Sequence, residues 1–287
     1  MDRSSLRETA DPKTVASLKA RQRVSGTDPS GGFAYRLDLS APCLAAAVHA
    51  GHGVRGELAP LMVLSEAGRL AEEDAATDRI IGGCPSTIRG LDSRAEYDLN
   101  RPPELALPLT PEMFWGTRVF GSPPADEMNR RSLDKYDLFY RFVAAVVQAL
   151  LERFGACIVY DVHSYNIRRQ RDKGHPTPPV FNLGTRGIDR KRWQVPVEAW
   201  LEGLERIALP GRKTTVAEND VFGGEGEFCR RLTAWDANIL VLPTEIAKVY
   251  MDEHTGVVHD RTTGALERQL AAAVAAHSSE FRRRFCR

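Results

Sequence analysis

The chain has 287 residues, a formal net charge of +1, and 43% hydrophobic and 27% charged residues, values that are ordinary for a globular protein with one large α/β domain or two small ones. The nearly neutral charge argues against nucleic acid or a membrane surface as the partner. No stretch approaches the roughly 18 to 20 apolar residues of a membrane span, and the chain starts without a signal-peptide pattern, so we expect a cytosolic protein.

The N-terminal segment differs in composition from the rest of the chain. Residues 1–30 are polar and end in Pro29-Ser30-Gly31-Gly32. We predict a short helix from Pro12 to Val24 and treat residues 1–30 as a peripheral N-terminal arm. Residues 31–287 are then expected to form a single α/β domain.

The first predicted core strand, Cys43 to Val48, ends in the sequence His49-Ala50-Gly51-His52-Gly53. Glycines at such a place let the backbone turn sharply or approach a ligand. His49 and His52 are therefore candidate metal ligands, and the alternative is that both are polar loop residues. The acid-rich helical segment 58–81 follows. It could supply a carboxylate ligand, because neutral imidazoles alone leave the charge of a divalent cation uncompensated.

A further candidate site lies where a short predicted strand runs into Asn100 and Arg101. The strand is stopped by Pro102 and Pro103, because proline has no backbone N–H to donate. An amide and a guanidinium held at a fixed place suit the carboxylate of a substrate. The alternative is a structural salt bridge between Arg101 and a neighbouring acid.

The clearest helix is predicted from Arg131 to Phe154, where apolar residues recur at three-and-four spacing. It leads into a strand, Ile158 to Ser164, which ends at a histidine. Active-site groups of open α/β sheets lie at the carboxyl ends of strands, so His163 is a candidate catalytic or metal-binding imidazole. Asp161 points to the same side of the strand and could orient that imidazole.

The last predicted core strand, Ile239 to Ile246, contains Glu245 in an otherwise apolar run. A carboxylate is expensive to bury without a partner, so Glu245 is the best candidate for a general base. The glycine-rich turn at 218–226 lacks the GxxxxGK[ST] spacing of a phosphate-binding loop, and nucleotide binding is not indicated. The polar loop from Asn166 to Pro179 has the length of a lid over a site.

These residues together predict a hydrolytic metal site. Strand ends supply His49, His163 and Glu245, and the acid-rich segment supplies a carboxylate. Two imidazoles and one carboxylate bind Zn²⁺ with a position left open for water. The five cysteines are scattered without a CxxC pair, which argues against a thiolate site. We therefore expect an amide hydrolase for an amino-acid-like substrate, with a carboxylate base and an arginine at the oxyanion.

Several pieces of the chain, in this order, resemble the N-formylglutamate amidohydrolases. They are His49-Ala50-Gly51, Thr77-Asp78, Ser93-Arg94, Asp98 to Pro103, Pro111-Glu112-Met113-Phe114, Tyr160 to Ser164, Phe181 to Thr185, Glu245 and Tyr250-Met251-Asp252. The resemblance runs from about Val48 to Gly256. It implies an α/β fold with a mixed central sheet flanked by helices, like that of the zinc carboxypeptidases (phosphorylase/hydrolase-like).

The same resemblance implies roles for particular residues. A Zn²⁺ ion would be held by His49, His163 and an acidic third ligand, for which Asp78 aligns best. Glu245 would be the general base, and Arg94 would lie near the scissile carbonyl. The substrate would be a small N-acyl amino acid, with N-formyl-L-glutamate as the first candidate.

The residues implied for substrate binding match the family less closely. Asn100 and Arg101 would bind the α-carboxylate. The family has a Gly-Gly-Tyr turn followed by an arginine suited to a side-chain carboxylate. This chain instead has Gly223-Gly224-Glu225, and the arginine is shifted by about one residue, to Arg230. The substrate could therefore differ from N-formyl-L-glutamate in its acyl group or its amino acid.

The sequence leaves open the third metal ligand, for which His52, Glu73 and Asp74 compete with Asp78. It also leaves open two other functions. One is a carboxypeptidase or peptide deacylase acting on a larger substrate. The other is a non-catalytic protein that binds an amino acid or a metal, against which Glu245 argues because such a protein has no need of a base. The oligomeric state is not indicated.

Overall fold

The computed structural model describes residues 12–20 and 23–287, and a mixed sheet of eight strands lies at the centre of this part of the chain. The strands are β1 Arg23–Thr27, β2 Phe33–Asp38, β3 Cys43–Ala47, β4 Thr87–Gly90, β5 Cys157–Tyr165, β6 Phe181–Leu183, β7 Val216–Glu218 and β8 Ile239–Ala247. Their order in the sheet is β1-β2-β4-β3-β5-β8-β6-β7.

The middle of the sheet, β4-β3-β5-β8, is parallel. Antiparallel pairings join β2 to β4 on one side and β6 to β8 on the other. β5 and β8 are long apolar strands because helices cover both faces of the sheet. The predicted α/β fold with a mixed sheet flanked by helices is confirmed. Because β3, β5 and β8 are parallel, their carboxyl ends meet at one edge.

Helices flank both faces of the sheet. They are α1 Pro12–Lys19, α2 Glu66–Glu72, α3 Thr77–Ile80, α4 Pro103–Ala106, α5 Asp126–Phe154, α6 Ile167–Asp172, α7 Arg190–Glu205, α8 Glu227–Trp235 and α9 Asp260–Phe285, with 3₁₀ turns at Ala59–Leu61 and Pro111–Phe114. α5 and α8 share one hydrophobic cluster with the sheet, and α7 and α9 share another on the opposite face. Within the described residues, no helix combines the length and apolar character needed to cross a membrane.

The helix predicted from Arg131 begins earlier, at Asp126. Its first turn carries Asp126 and Glu127, whose charges interact favourably with the helix N-terminus, but it has few apolar residues to reveal it in the sequence. The helix ends before Gly155, which adopts the left-handed conformation with φ 81°. The chain then turns directly into β5.

The predicted N-terminal arm overlaps an edge strand of the sheet. Its helix is shorter than predicted and runs from Pro12 to Lys19. Residues 23–27 form β1, which pairs antiparallel with β2 from Arg23 opposite Asp38 to Thr27 opposite Ala34. The remaining predicted arm residues, 1–11 and 21–22, lie outside the described residues. The division of the chain at residue 30 stays a prediction.

The acid-rich segment 58–81 is an interrupted helical region. α2 begins after Ser65, whose side chain accepts a hydrogen bond from the Gly68 amide, and it ends at Glu72. Glu73 is extended, with φ −81° and ψ 160°. The next residue, Asp74, donates its backbone N–H to the carbonyl of His49 at 3.0 Å. This break carries the chain to the carboxyl ends of the parallel strands.

Candidate active site

Three buried side chains with metal-ligating atoms meet at the carboxyl edge of the sheet. His49 follows β3, His163 lies near the end of β5, and Asp74 lies in the break between α2 and α3. One ligand atom from each lies within 4.8 Å of the other two. Asp74 Oδ2 is 3.3 Å from His49 Nδ1 and 3.0 Å from His163 Nδ1. Two imidazoles and a carboxylate at this spacing can hold a divalent cation.

Each imidazole has a carboxylate behind it. Asp98 Oδ1 is 2.7 Å from His49 Nε2, and Asp161 Oδ1 is 2.9 Å from His163 Nε2. At His49 the hydrogen bond between Nε2 and Asp98 favours a proton on Nε2 and leaves Nδ1 with a free lone pair, as in metal-binding histidines. Among the described residues, His49 Nδ1 is buried without a hydrogen-bond partner. An unpaired acceptor that faces a carboxylate fits a cation between the two.

Asp74 is ionised in this arrangement. Burial raises its pKa, but the hydrogen bond with His163 and the contact with His49 outweigh burial and hold the pKa of Asp74 below its ordinary value. Its second oxygen, Oδ1, accepts a hydrogen bond from Ser164 Oγ at 3.2 Å. The charged form is the one that coordinates a metal.

Asp78, the predicted third ligand, does not lie with the two histidines. It is in the first turn of α3, and its half-exposed carboxylate accepts a hydrogen bond from Arg89 at 2.9 Å. In this structure Asp74 rather than Asp78 lies with the two histidines, and the assignment of Asp78 stays a prediction. The reason is backbone geometry, since the break in the acid-rich segment comes four residues before Asp78.

The other two alternatives for the third ligand pair with each other. His52 Nδ1 contacts Glu73 Oε2 at 2.5 Å, and His52 Nε2 is 3.3 Å from Glu66 Oε1. Glu73 also accepts a hydrogen bond from the hydroxyl of Ser93. Both ring nitrogens of His52 therefore face carboxylates outside the His49 cluster.

Glu245 lies beside the cluster, as expected for a base that serves a metal site. On β8 it stands opposite His163 of β5 in the parallel register. It lines a cavity of about 340 Å³ together with His49, Asp74 and His163. Burial raises the pKa of Glu245 to about 8, against the charge of His163 and with the help of Asp74 and Asp161. A carboxylate of raised pKa next to open volume is suited to proton transfer near neutral pH.

Arg94 and Asn100 also line this cavity. Arg94 donates to Asp98 Oδ2 from Nε at 3.1 Å and from Nη2 at 2.7 Å. Its guanidinium also lies 4.5 Å from the ring centroid of Trp115. Asn100 accepts a hydrogen bond from the Phe228 amide at 3.0 Å. Both side chains are held firmly at the places where a substrate could meet them.

Arg101 and Arg230, predicted to bind substrate carboxylates, are not among the residues that line the cavity. Arg101 donates to the carbonyl of Met113, and its guanidinium lies 4.7 Å from the ring centroid of Trp115. Arg230 is in the first turns of α8 and donates to Glu227 at 2.7 and 2.8 Å. Both assignments stay predictions, and in this structure each arginine is engaged by a contact outside the cavity lining.

The glycine-rich turn forms one wall of the cavity, with Gly223, Gly224, Glu225 and Gly226 among its lining residues. Gly224 has φ 79°, and a Cβ on the facing Gly184 would lie 2.2 Å from the Gly224 amide nitrogen. This close approach of two backbones requires glycine. The Glu225 carboxylate on this wall lies 3.6 Å from Arg186.

Sequence reasoning missed three residues of the cavity wall. Trp115 follows the turn Pro111–Phe114 in the left-handed conformation, with φ 52°. Arg169 of α6 pairs with Glu72, and Lys248, just after β8, is buried at the cavity. Only Lys248 carried a signal, since it stands three residues after Glu245 in the chain.

Comparison with known proteins gives a consistent result. The family model of the N-formylglutamate amidohydrolases matches residues 41–251. The N-formylglutamate amidohydrolase from Ralstonia eutropha JMP134 is similar in structure, with a TM-score of 0.70 and 19% identity over 88% of this chain and 98% of that one. A gene product from Agrobacterium tumefaciens has a TM-score of 0.57 and 18% sequence identity, and the match covers 90% of this chain and 97% of that one. A metallo-carboxypeptidase from Burkholderia cenocepacia has a TM-score of 0.41 and 15% sequence identity, and the match covers 94% of this chain and 68% of that one. No curated protein matches the chain.

Proposed function

The chain belongs to the N-formylglutamate amidohydrolase family, and from this premise we propose that it is a Zn²⁺-dependent amidohydrolase that cleaves N-formyl-L-glutamate to formate and L-glutamate. The observation that carries the proposal is the buried cluster of His49, Asp74 and His163 beside Glu245. A cavity of about 340 Å³ is of the size that small ligands occupy.

The donor set suits a zinc ion. Two neutral imidazole nitrogens and one carboxylate oxygen match the ligands of catalytic zinc sites that keep a position open. The unpaired Nδ1 of His49 and the ionised Asp74 support this reading. When bound, the ion would supply a Lewis acid that polarises the scissile carbonyl and lowers the pKa of water.

The remaining chemistry falls to side chains of the chain itself. Glu245 takes the proton from the attacking water and returns it to the leaving amine. Arg94 presents a guanidinium to the developing oxyanion, and Asp98 and Trp115 hold that guanidinium in place. Asn100 contributes an amide beside the substrate's carboxylate.

The test is release of formate and L-glutamate from N-formyl-L-glutamate by the full chain, first stripped of metal and then reloaded with Zn²⁺. We expect turnover with zinc and none after stripping. A metal-free protein with full activity would refute the metal-dependent mechanism. Stoichiometric zinc binding without formate release would refute N-formyl-L-glutamate as the substrate, while the proposal of a hydrolytic metal site would stand.

A further inference from the structure

Lys248 is a buried cation at the cavity of the candidate active site, and no carboxylate among residues 12–20 and 23–287 pairs with it. It follows β8, is 3% exposed, and is one of the side chains that line the cavity. Its Nζ donates to the backbone carbonyl of Ala71 at 2.9 Å. Within the described residues, no Asp or Glu oxygen forms an ion pair with it.

Two arginines that line the cavity differ from Lys248 in this respect. Arg94 is neutralised by Asp98 at 2.7 Å. Arg169 is paired with Glu72 through both of its terminal nitrogens. Lys248 thus keeps donor capacity and charge that nothing in the described structure satisfies.

An ammonium group in such a place favours an anionic ligand. Burial lowers the pKa of Lys248, against the more distant charges of Asp74, Glu72 and Glu253. A carboxylate that enters the cavity would supply the missing partner and stabilise the charged form.

The position of Lys248 indicates which end of a substrate would reach it. Arg94 bonds to Asp98, and Asp98 also holds His49, so Arg94 belongs to the metal-ligand end of the cavity. Lys248 instead borders both this cavity and a neighbouring hollow of about 690 Å³. The proposed function places the α-carboxylate of the substrate at Asn100, so a second carboxylate that meets Lys248 would be that of the substrate's side chain.

We propose that Lys248 binds the side-chain carboxylate of an acidic N-acyl amino acid and thereby selects such substrates over neutral ones. The proposal rests on the proposed function of the same site. It assigns to Lys248 the role that the resemblance implied for Arg230, which pairs with Glu227 and is not among the residues that line the cavity.

The test compares N-formyl-L-glutamate with the nearly isosteric, uncharged N-formyl-L-glutamine in zinc-loaded wild type, Lys248→Met, Lys248→Arg and the control Arg230→Met. For wild type we expect a higher kcat/KM for the glutamate compound. Lys248→Met should lower that value by about 10- to 100-fold, mainly through KM, because a hydrogen bond to a charged group is lost. The kcat/KM of Lys248→Met for N-formyl-L-glutamine should stay within about threefold of the wild-type value. Lys248→Arg and Arg230→Met should keep the wild-type preference for N-formyl-L-glutamate.

Equal losses on both compounds in Lys248→Met would overturn the proposal and leave Lys248 as a brace for the Ala71 carbonyl. Absence of a preference in wild type would overturn it as well. If neither compound is cleaved, the proposed substrate fails, and Lys248 is then judged by calorimetric binding of L-glutamate and L-glutamine. The role is supported if wild type binds L-glutamate at least tenfold more tightly than L-glutamine and Lys248→Met loses this difference. Equal binding of the two amino acids by wild type refutes the role.

Discussion

At the scale of single residues, the site depends on which carboxylate reaches the two histidines. Asp74 and Asp78 are four residues apart and chemically identical, yet one is buried against His49 and His163 and the other pairs with Arg89 at the surface. The charge pattern of the sequence cannot separate them, because the difference arises from the break after α2. The pair therefore provides a matched comparison.

We predict that Asp74→Asn abolishes stoichiometric zinc binding, whereas Asp78→Asn keeps it. The amide is isosteric with the carboxylate but removes the negative ligand and the charge that offsets the cation. Metal analysis of the purified variants after dialysis against a weak chelator measures the outcome. Loss of zinc in Asp78→Asn with retention in Asp74→Asn would restore Asp78 as the ligand.

Glu245 gives a second prediction at this scale. Glu245→Gln keeps the shape of the side chain but cannot accept the proton from water, so kcat should fall by about 10²-fold or more. Zinc content should stay at the wild-type level, since Glu245 is not in the ligand cluster. Formate release measured at saturating substrate tests this. Unchanged turnover would remove the general-base role and reopen the reading of a non-catalytic binding protein.

At the scale of elements, the packing of α9 against the sheet includes a buried histidine. His277 of α9 donates from Nε2 to the carbonyl of Pro196 in α7 at 2.7 Å, and its Nδ1 accepts from the Tyr160 hydroxyl of β5 at 2.8 Å. The ring therefore joins three elements in its neutral form. Burial lowers the pKa of His277 to about 4 from its ordinary value of 6.5.

This shift predicts how stability changes with pH. Because the folded-state pKa lies below the unfolded value, the contribution is fully present above pH 6.5 and is lost as the pH falls toward 4. The 2.5-unit difference corresponds to about 3 kcal/mol of unfolding free energy. Urea unfolding at pH 7 and at pH 4 measures the change. Between these two pH values the unfolding free energy of wild type should fall by about 3 kcal/mol more than that of His277→Gln. Equal decreases in the two proteins would contradict the prediction.

At the scale of the whole molecule, the proposed metal would join segments that are distant in the chain. His49 and His163 belong to neighbouring strands β3 and β5, and Asp74 belongs to the segment that crosses above them. The unfolded chain does not present these ligands together, so a metal that binds only the folded form stabilises it.

We predict that zinc at 100 times its dissociation constant raises the unfolding free energy by about 2.7 kcal/mol. In a chain of this length that corresponds to a rise in Tm of about 4 to 5 °C. Thermal unfolding with zinc and with chelator measures the shift, and Asp74→Asn serves as the control that should show none. A wild-type Tm that does not respond to zinc would argue against a metal at this cluster.

The local sequence pattern was sufficient to predict the central strands, the longest helix and three residues of the candidate site. The apolar runs around His163 and Glu245 identify β5 and β8, because strands covered on both faces are continuously apolar. The three-and-four spacing identifies most of α5. Placement of functional residues at the carboxyl ends of parallel strands led to His49, His163 and Glu245, and the structure brings these three together.

Which further side chains join these three at the site depends on contacts made across the fold. Asp74 replaced Asp78 through the backbone break after Glu72. Arg101 donates to the Met113 carbonyl and Arg230 donates to the Glu227 carboxylate. Lys248, in contrast, lines the cavity. The physical reason is common to all of them. A charged side chain is placed by the partners and the burial that it finds across the fold, and neither is encoded in its own stretch of sequence.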